Sequence, residues 1–293
     1  MKIDVFERIE NENIDIARFV LDGVGVELAN AFRRIILTEV PSMAITEVLF
    51  VENDGVLFDE MIAHRLGLIP LTTDLKNYNL PNECSCGGQG CTLCQAQLMC
   101  EVHAENSDRT VYSSDIEELD PKVHPVSDKI IIAKLGKGTS MVFEAYAQLG
   151  QGKDHAKFQP VSSVGYKYYP DVKIDNSVFS KDAAKRQEEM EKMLKRDFTH
   201  LFFIKDGKLA IEKDYWKSHF DFTRSIEGYG PPGAVKIDFV PNKFIFTVEG
   251  TGALPITEIL KRAVEIFLEK CDEFEEQLRE VIVMQKDPLE PEY

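Results

Sequence analysis

The chain has 293 residues, 44% of them hydrophobic, and a formal net charge of −16 at pH 7. That length allows two domains and the composition an ordinary core. So acidic a chain is a poor major surface for DNA, because phosphate contacts need clustered Lys and Arg. It carries no signal-peptide pattern and no apolar run of bilayer-spanning length, so a soluble intracellular protein without membrane contact is expected.

Ile14 and Ile16 alternate with Asp15 and Ala17 and run into Phe19–Leu21, a strand pattern closed by the turn pair Asp22-Gly23. Val26–Ile45 then carries a helix. Leu28, Phe32, Ile35 and Ile36 fall on one face, and Pro41 ends the run. Asn30, Arg33 and Arg34 point elsewhere, either simply to solvent or to a partner. A strand feeding a helix is half of a two-layer α+β unit, too small to bury both faces. Its complement must come from far along the chain or from another chain.

Val48 and Phe50 suggest a strand, with a hairpin turn at Glu52–Gly55. Asp59–Leu66 reads as a short helix and Leu68–Leu71 as a strand start. His64 with Asp59, Glu60 and His155 could be drawn as an acid–base or metal constellation, the machinery of a hydrolase. No ligating spacing such as H-E-x-x-H supports it, and structural hydrogen bonds from His64 and Arg65 in a buried turn are the better reading.

The strongest chemical signal is Cys84-Ser-Cys86-Gly-Gly-Gln-Gly-Cys91-Thr-Leu-Cys94. Of the six cysteines, Cys100 and Cys271 stand apart. This is not a disulfide framework, and without a signal peptide it suggests a metal site. The glycines let the loop fold back so that both thiol pairs face one tetrahedral ion. One Zn²⁺ per chain suits a thiolate set with no redox role. Four reduced thiols on a flexible loop is the alternative. An iron–sulfur cluster is disfavoured, since no C-x₂-C-x₂-C run occurs.

Leu98–Val102, Val111–Ser113, Ile130–Leu135 and Met141–Leu149 read as strands of a mainly antiparallel sheet. Gly136–Ser140 lacks the order of a phosphate loop and reads as a hairpin turn. Lys153, Asp154, His155 and Lys157 sit on a loop before Phe158. Tyr166–Ile174 is another strand. Ser180–Arg196 is a charged helix that Ser180 could cap. Asp206-Gly207 turns a hairpin between Phe202–Ile204 and Leu209–Ile211. Trp216, Phe220 and Phe222 give this region a small apolar content, and Ser225–Gly233 looks like a linker.

Phe244, Phe246 and Val248 alternate as a strand, and Pro255 suits the start of a helix running to about Val283. Leu260, Val264, Phe267, Cys271, Phe274, Leu278 and Val281 repeat in steps of four and three, an a/d seam. The earlier helix is too short to cover it. A partner chain is the economical answer, with Glu269, Asp272, Glu273, Glu275 and Glu276 helping to set its choice.

Three blocks in order, LANAFRRIILTEVP from Leu28, DEMIAHRLGLIPL from Asp59 and GKDHAKFQP from Gly152, resemble the signatures of the α-like subunits of cellular RNA polymerases, in particular the archaeal and eukaryotic third subunit. The resemblance implies an α+β fold. Residues 1–43 and 234–293 would form a split dimerisation domain, 44–171 an antiparallel β insert with the four-Cys loop, and 172–233 a small cysteine-free module and linker. It implies a non-catalytic assembly subunit that pairs with a smaller α-like subunit and carries the largest and second-largest catalytic subunits. Leu28, Phe32, Ile35, Ile36, Leu260, Val264, Phe267, Cys271, Phe274, Leu278 and Val281 would form the dimer interface. Arg33, Arg34, His64, Arg65, His155 and Lys157 are candidate contacts to the second-largest or the small zinc-bearing subunits. The third subunit of RNA polymerase II is similar in carrying a four-Cys zinc loop here, spaced differently by one residue. Some archaeal relatives hold an iron–sulfur cluster in the region of 172–233; without cysteine there, none is expected. Nothing resembles a carboxylate triad for catalytic Mg²⁺. Tyr112–Asp120, Ile131–Gly138 and Phe244–Gly250 look archaeal, implying a cytoplasmic protein, or a nuclear one if the source is eukaryotic. A free-standing zinc-binding interaction protein is the other reading.

Overall fold

In the computed structural model, residues 1–11, 14–196, 201–217, 228 and 230–286 are described. In chain order they form β1 (Lys2–Asn11), β2 (Ile14–Asp22), α1 (Val26–Thr38), β3 (Ser42–Asn53), α2 (Asp59–Gly67), β4 (Gln95–Ala104), β5 (Arg109–Tyr112), β6 (Ile116–Glu118), β7 (Ile131–Leu135), β8 (Thr139–Gly150), β9 (Val161–Ile174), α3 (Ala183–Arg196), β10 (Phe202–Lys205), β11 (Lys208–Ile211), β12 (Val235–Gly250) and α4 (Ile256–Lys286). The fold is α+β, with antiparallel registers in the β3, β4, β6 and β8 sheet and in the β5–β7 and β10–β11 pairs. A further sheet has the order β1-β2-β12-β9. No described helix is long and apolar enough to cross a membrane.

Two compact units divide the chain: Met1–Phe6, Phe19–Val26 and Tyr166–Phe246 make one, and Glu7–Arg18, Glu27–Gly165 and Thr247–Tyr293 the other. In the second, β8 lies between β3 and β4, with β6 beyond β4. Strand alternation sends Met141, Phe143, Ala145, Ala147 and Leu149 of β8 to one face, where all are buried. Leu98, Cys100 and Val102 of β4 and Ile62 and Leu66 of α2 join the same core. The β3–β8 register slips at Thr46, whose hydroxyl donates to the Tyr146 carbonyl at 3.1 Å.

Two details hold the helices of this unit. The α1 C-terminus is capped from far along the chain: Lys153 N–H donates to the Thr38 carbonyl and the Gln151 amide to the Glu39 carbonyl, both at 2.8 Å. A Cβ on Gly152 would overlap the Leu37 carbonyl oxygen, so glycine permits the approach. At the start of α4, Ile256 N–H donates to Asp15 Oδ2 of β2 at 2.8 Å, placing a carboxylate at the positive helix end.

In the first unit, β10 and β11 form the expected hairpin. Asp206 and Gly207 have φ of 51° and 69°, as a type I′ turn requires. Phe202, Leu209, Met190 and Met193 share a small core with Val235 and Ile237. Trp216 packs edge-on to Phe6, with ring centroids 5.0 Å apart. Phe220 and Phe222, and most of the Ser225–Gly233 linker, lie outside the described residues.

Several local expectations are corrected. α1 already stops at Thr38, ahead of Pro41. The turn expected at Glu52–Gly55 starts later: Glu52 and Asn53 still pair with β8, Asp54 N–H extends that pairing to the Ser140 carbonyl at 3.0 Å, and the chain bends at 55–57, where Asn53 Oδ1 accepts the Gly55 N–H at 3.1 Å, and leads into α2. The Gly136–Ser140 turn also forms, yet β7 pairs with β5 and β8 with β3 and β4, so it is no hairpin. Leu68–Leu71 yields only a bridge from Leu71 to Pro125. α3 begins at Ala183, capped by the Asp182 carboxylate, which accepts the Ala184 N–H at 2.9 Å; Ser180 instead accepts the Asp182 N–H. A carboxylate also meets the helix dipole, which a hydroxyl does not.

Candidate metal centre and assembly surfaces

The four-Cys loop is built from two turns. Gly87 N–H donates to the Cys84 carbonyl at 2.9 Å, and Cys94 and Gln95 N–H donate to the Cys91 carbonyl at 3.0 and 2.9 Å. Gly90 between them has φ of 85°, and a Cβ there would overlap the Gln95 side chain. The turns bring all four Sγ atoms within 4.8 Å of one another. Neighbouring separations are 3.5 Å for Cys84–Cys91, Cys84–Cys86 and Cys86–Cys94, and 3.8 Å for Cys91–Cys94. Sulfurs placed about 2.3 Å from one tetrahedral zinc stand ~3.8 Å apart, so the donor set fits Zn²⁺. Cys84 and Cys94 are buried and Cys86 and Cys91 half-buried. The Cys91 backbone N–H, followed by the neighbouring thiols, brings Cys86 down to about 6, whereas burial pushes Cys94 up to about 12.

The loop is anchored at its base. Asn79 N–H donates to the Leu93 carbonyl at 2.8 Å, and the Tyr78 hydroxyl donates to Asp120 at 2.6 Å. Lys122 Nζ pairs with Asp74 at 2.8 Å. Lys122 holds the Asp74 carboxyl well below the usual range, and the Tyr78 hydroxyl does the same for Asp120.

The structure brings His64, His155 and Lys157 to one small cavity. It does not bring Asp59 or Glu60 there. The Asp59 carboxylate accepts from Asn53 Nδ2 at 2.7 Å. The hydrolase constellation is therefore not assembled. His64 and His155 are exposed, and Arg65 makes a structural bond to the Ile131 carbonyl at 2.7 Å from an exposed site, not from a buried turn. Arg33 reaches Asn30 on its own helix at 3.0 Å, and Arg34 is exposed.

The predicted seam divides by burial. α4 gives Ile256, Ile259, Ala263 and Ile266 to the chain's own interior, and α1 gives Ala29, Ile35 and Ile36. Leu28, Phe32, Leu260 and Phe267 are half-buried. Val264, Cys271, Phe274, Leu278 and Val281 are exposed, Phe274 by 67%. Lys270 joins α4 to Glu39 after α1 at 3.0 Å.

Sequence reasoning missed a second exposed apolar group: Leu49 and Val51 on β3, Val56 and Phe58 before α2, and Met61 on α2. The signal was present, since the apolar residues flanking Asp54-Gly55 outnumber Val48, Phe50 and Leu57, the ones that pack on the core.

A family model described as the RNA polymerase Rpb3/Rpb11 dimerisation domain matches residues 18–271. The DNA-directed RNA polymerase subunit Rpo3 of Pyrococcus furiosus is 38% identical over 290 residues, 96% of this chain and 98% of the relative. Its namesake in Methanosphaera stadtmanae is 34% identical over 276 residues, 93% and 96% of the two chains. That of Archaeoglobus fulgidus is 35% identical over 279 residues, 94% and 98%. With a match spanning most of its length and near-full-length relatives, the chain belongs to the RNA polymerase Rpb3/Rpb11 dimerisation-domain family.

Proposed function

We propose that this chain is a non-catalytic assembly subunit of a multisubunit DNA-dependent RNA polymerase, working in the cytoplasm of an archaeal-type cell. It pairs with a smaller α-like subunit, and the pair carries the largest and second-largest subunits. The observation that carries this reading is the row Val264, Phe274, Leu278 and Val281, which the chain's described residues leave exposed on α4. Apolar area in a continuous helical row is expensive to leave in water and matches a helix of a partner. Ile35 and Ile36 serve the chain's own core, so the interface rests on Leu28, Phe32 and the α4 seam.

In the domain reading that goes with this, residues 1–43 and 234–293 form the dimerisation part, supported by β1, β2 and β12 standing side by side in the order β1-β2-β12-β9, in which β9 comes from outside those ranges. Residues 44–171 form the insert, and 172–233 the small module. Cys84, Cys86, Cys91 and Cys94 would hold one Zn²⁺, which supplies a structural cross-link and no reaction chemistry. Arg33, Arg34, His64, Arg65, His155 and Lys157 face neighbouring subunits, including the small zinc-bearing ones.

Co-expression with the smaller α-like subunit of the same organism, read by size exclusion with light scattering, tests the reading. A one-to-one complex that Phe267→Asp or Phe274→Asp dissolves is the expected result. A chain that stays monomeric in the partner's presence overturns it.

A further inference from the structure

The cavity beside α2 is unusual for a chain of net charge −16. It is a cleft of about 130 Å³ lined by His64 of α2, by His155 and Lys157, by the apolar residues Val48, Ala63 and Leu68, and by Ile45, whose side chain belongs to the core and whose carbonyl meets Lys157. No acidic residue lines it. Titratable groups do lie on the surrounding elements: Glu47 on β3, Asp59, Glu60 and Arg65 on α2, and Asp154 on the loop. None of these is among its lining residues.

Lys157 is the centre of the site. Its Nζ donates to the Ile45 carbonyl at 3.0 Å, which leaves two of its three ammonium protons for other acceptors. Burial lowers its pKa. A half-buried ammonium whose neighbours are a neutral carbonyl and, 5.1 Å away, the Phe158 ring still gains from an anion, because the Coulomb term grows as water is removed. His155 Nδ1 accepts the Lys157 backbone N–H at 3.1 Å, so in the neutral ring the proton is on Nε2, a donor. The position of the loop is set independently by the Lys153 and Gln151 bonds to the end of α1.

We infer that His64, His155 and Lys157 form a pocket for the carboxylate of an Asp or Glu side chain on a neighbouring polymerase subunit. The apolar wall from Val48, Ala63 and Leu68 takes the methylenes and the Lys157 end takes the carboxylate. The volume suits one such side chain and not a folded element. The owner of the carboxylate rests on the assembly reading; the pocket's preference does not.

Two measurements test the two parts separately. The polymerase assembled with the full chain is treated with a zero-length carbodiimide, which joins an amine to a carboxylate only when the two are in contact, and the products are mapped by mass spectrometry. A link from Lys157 to a neighbour's Asp or Glu, absent in Lys157→Arg although assembly persists, supports the pocket. Links from other lysines with none from Lys157 overturn it. The isolated chain with ¹³C-labelled lysine is titrated by NMR in chloride and in glutarate at equal ionic strength. Glutarate is expected to raise the Lys157 pKa, and His64→Ala with His155→Ala to shrink that rise. An unchanged Lys157 pKa overturns the pocket. Failure of the chain to enter polymerase at all, with the glutarate response intact, sinks the assembly reading and leaves the carboxylate pocket standing.

Discussion

Asp15 shows how much one residue settles. It lies far in sequence from α4, yet its Oδ2 takes the first N–H of that helix. Asp15→Ala removes the cap and is expected to cost about 1 kcal/mol, read by thermal or urea unfolding, while Asp15→Asn keeps the acceptor and loses only part of that. The Lys122–Asp74 pair under the cysteine loop makes a signed prediction about pH. Asp74 is depressed in the folded state relative to its ordinary 3.8, so its contribution is fully present above that value and is lost as pH falls and the carboxyl protonates. The stability gap between wild type and Lys122→Met should therefore be constant near neutrality and close below about pH 4, which denaturation at a series of pH values would reveal. Metal loss in acid affects both proteins and cancels in the difference.

Elements bring the next set of consequences. The cysteine loop is expected to bind about one zinc per chain by elemental analysis, and Cys94→Ala, at a fully buried position, to abolish it. Full zinc occupancy in Cys94→Ala would contradict the four-thiolate site. α4 offers a controlled contrast along one helix. Ile266 is 6% exposed and Phe274 67%. Ile266→Asp buries an unpaired charge and should cost more than about 3 kcal/mol in the isolated chain, whereas Phe274→Asp should change its stability by less than about 0.5 kcal/mol while abolishing the proposed pairing with a smaller α-like subunit. Equal loss of stability in both variants would mean that the outer row is covered by the chain itself.

Across the whole molecule, charge and architecture agree. The net charge of −16 leaves little surface for phosphate, and several basic groups are held by the chain itself, Arg18, Lys122 and Lys270 by acids and Arg65 by a carbonyl. The isolated chain should leave the anisotropy of a labelled DNA duplex unchanged at about 0.15 M salt. Tight duplex binding by this chain alone would conflict with a role confined to assembly.

Much of this was legible in the residues themselves. Helical spacing in Val26–Ile45 and after Pro255, the Asp206-Gly207 turn and the clustered thiols are all local signals, and each is set by backbone sterics or side-chain chemistry within a few residues. β1 was not anticipated, since charges interrupt its apolar residues on a strand mostly open to solvent. The turns at Gly55 and Gly138 were visible, but which strands they joined was not. Sheet pairing is a contest among distant segments that burial decides. The same holds for the helix surfaces. Periodicity marked an apolar seam on α4, but only the packed structure decided that Ile256, Ile259, Ala263 and Ile266 face inward and Phe274 and Leu278 do not. His64, His155 and Lys157 met at one cavity for the same reason, carried there by α2 and by a loop held at the end of α1, while Asp59 and Glu60 stayed outside. The sequence by itself determined most of the elements, the clustered thiol donors and the family; the tertiary structure decided which faces were spent on folding and which stayed exposed, because burial depends on contacts between segments that local sequence does not encode.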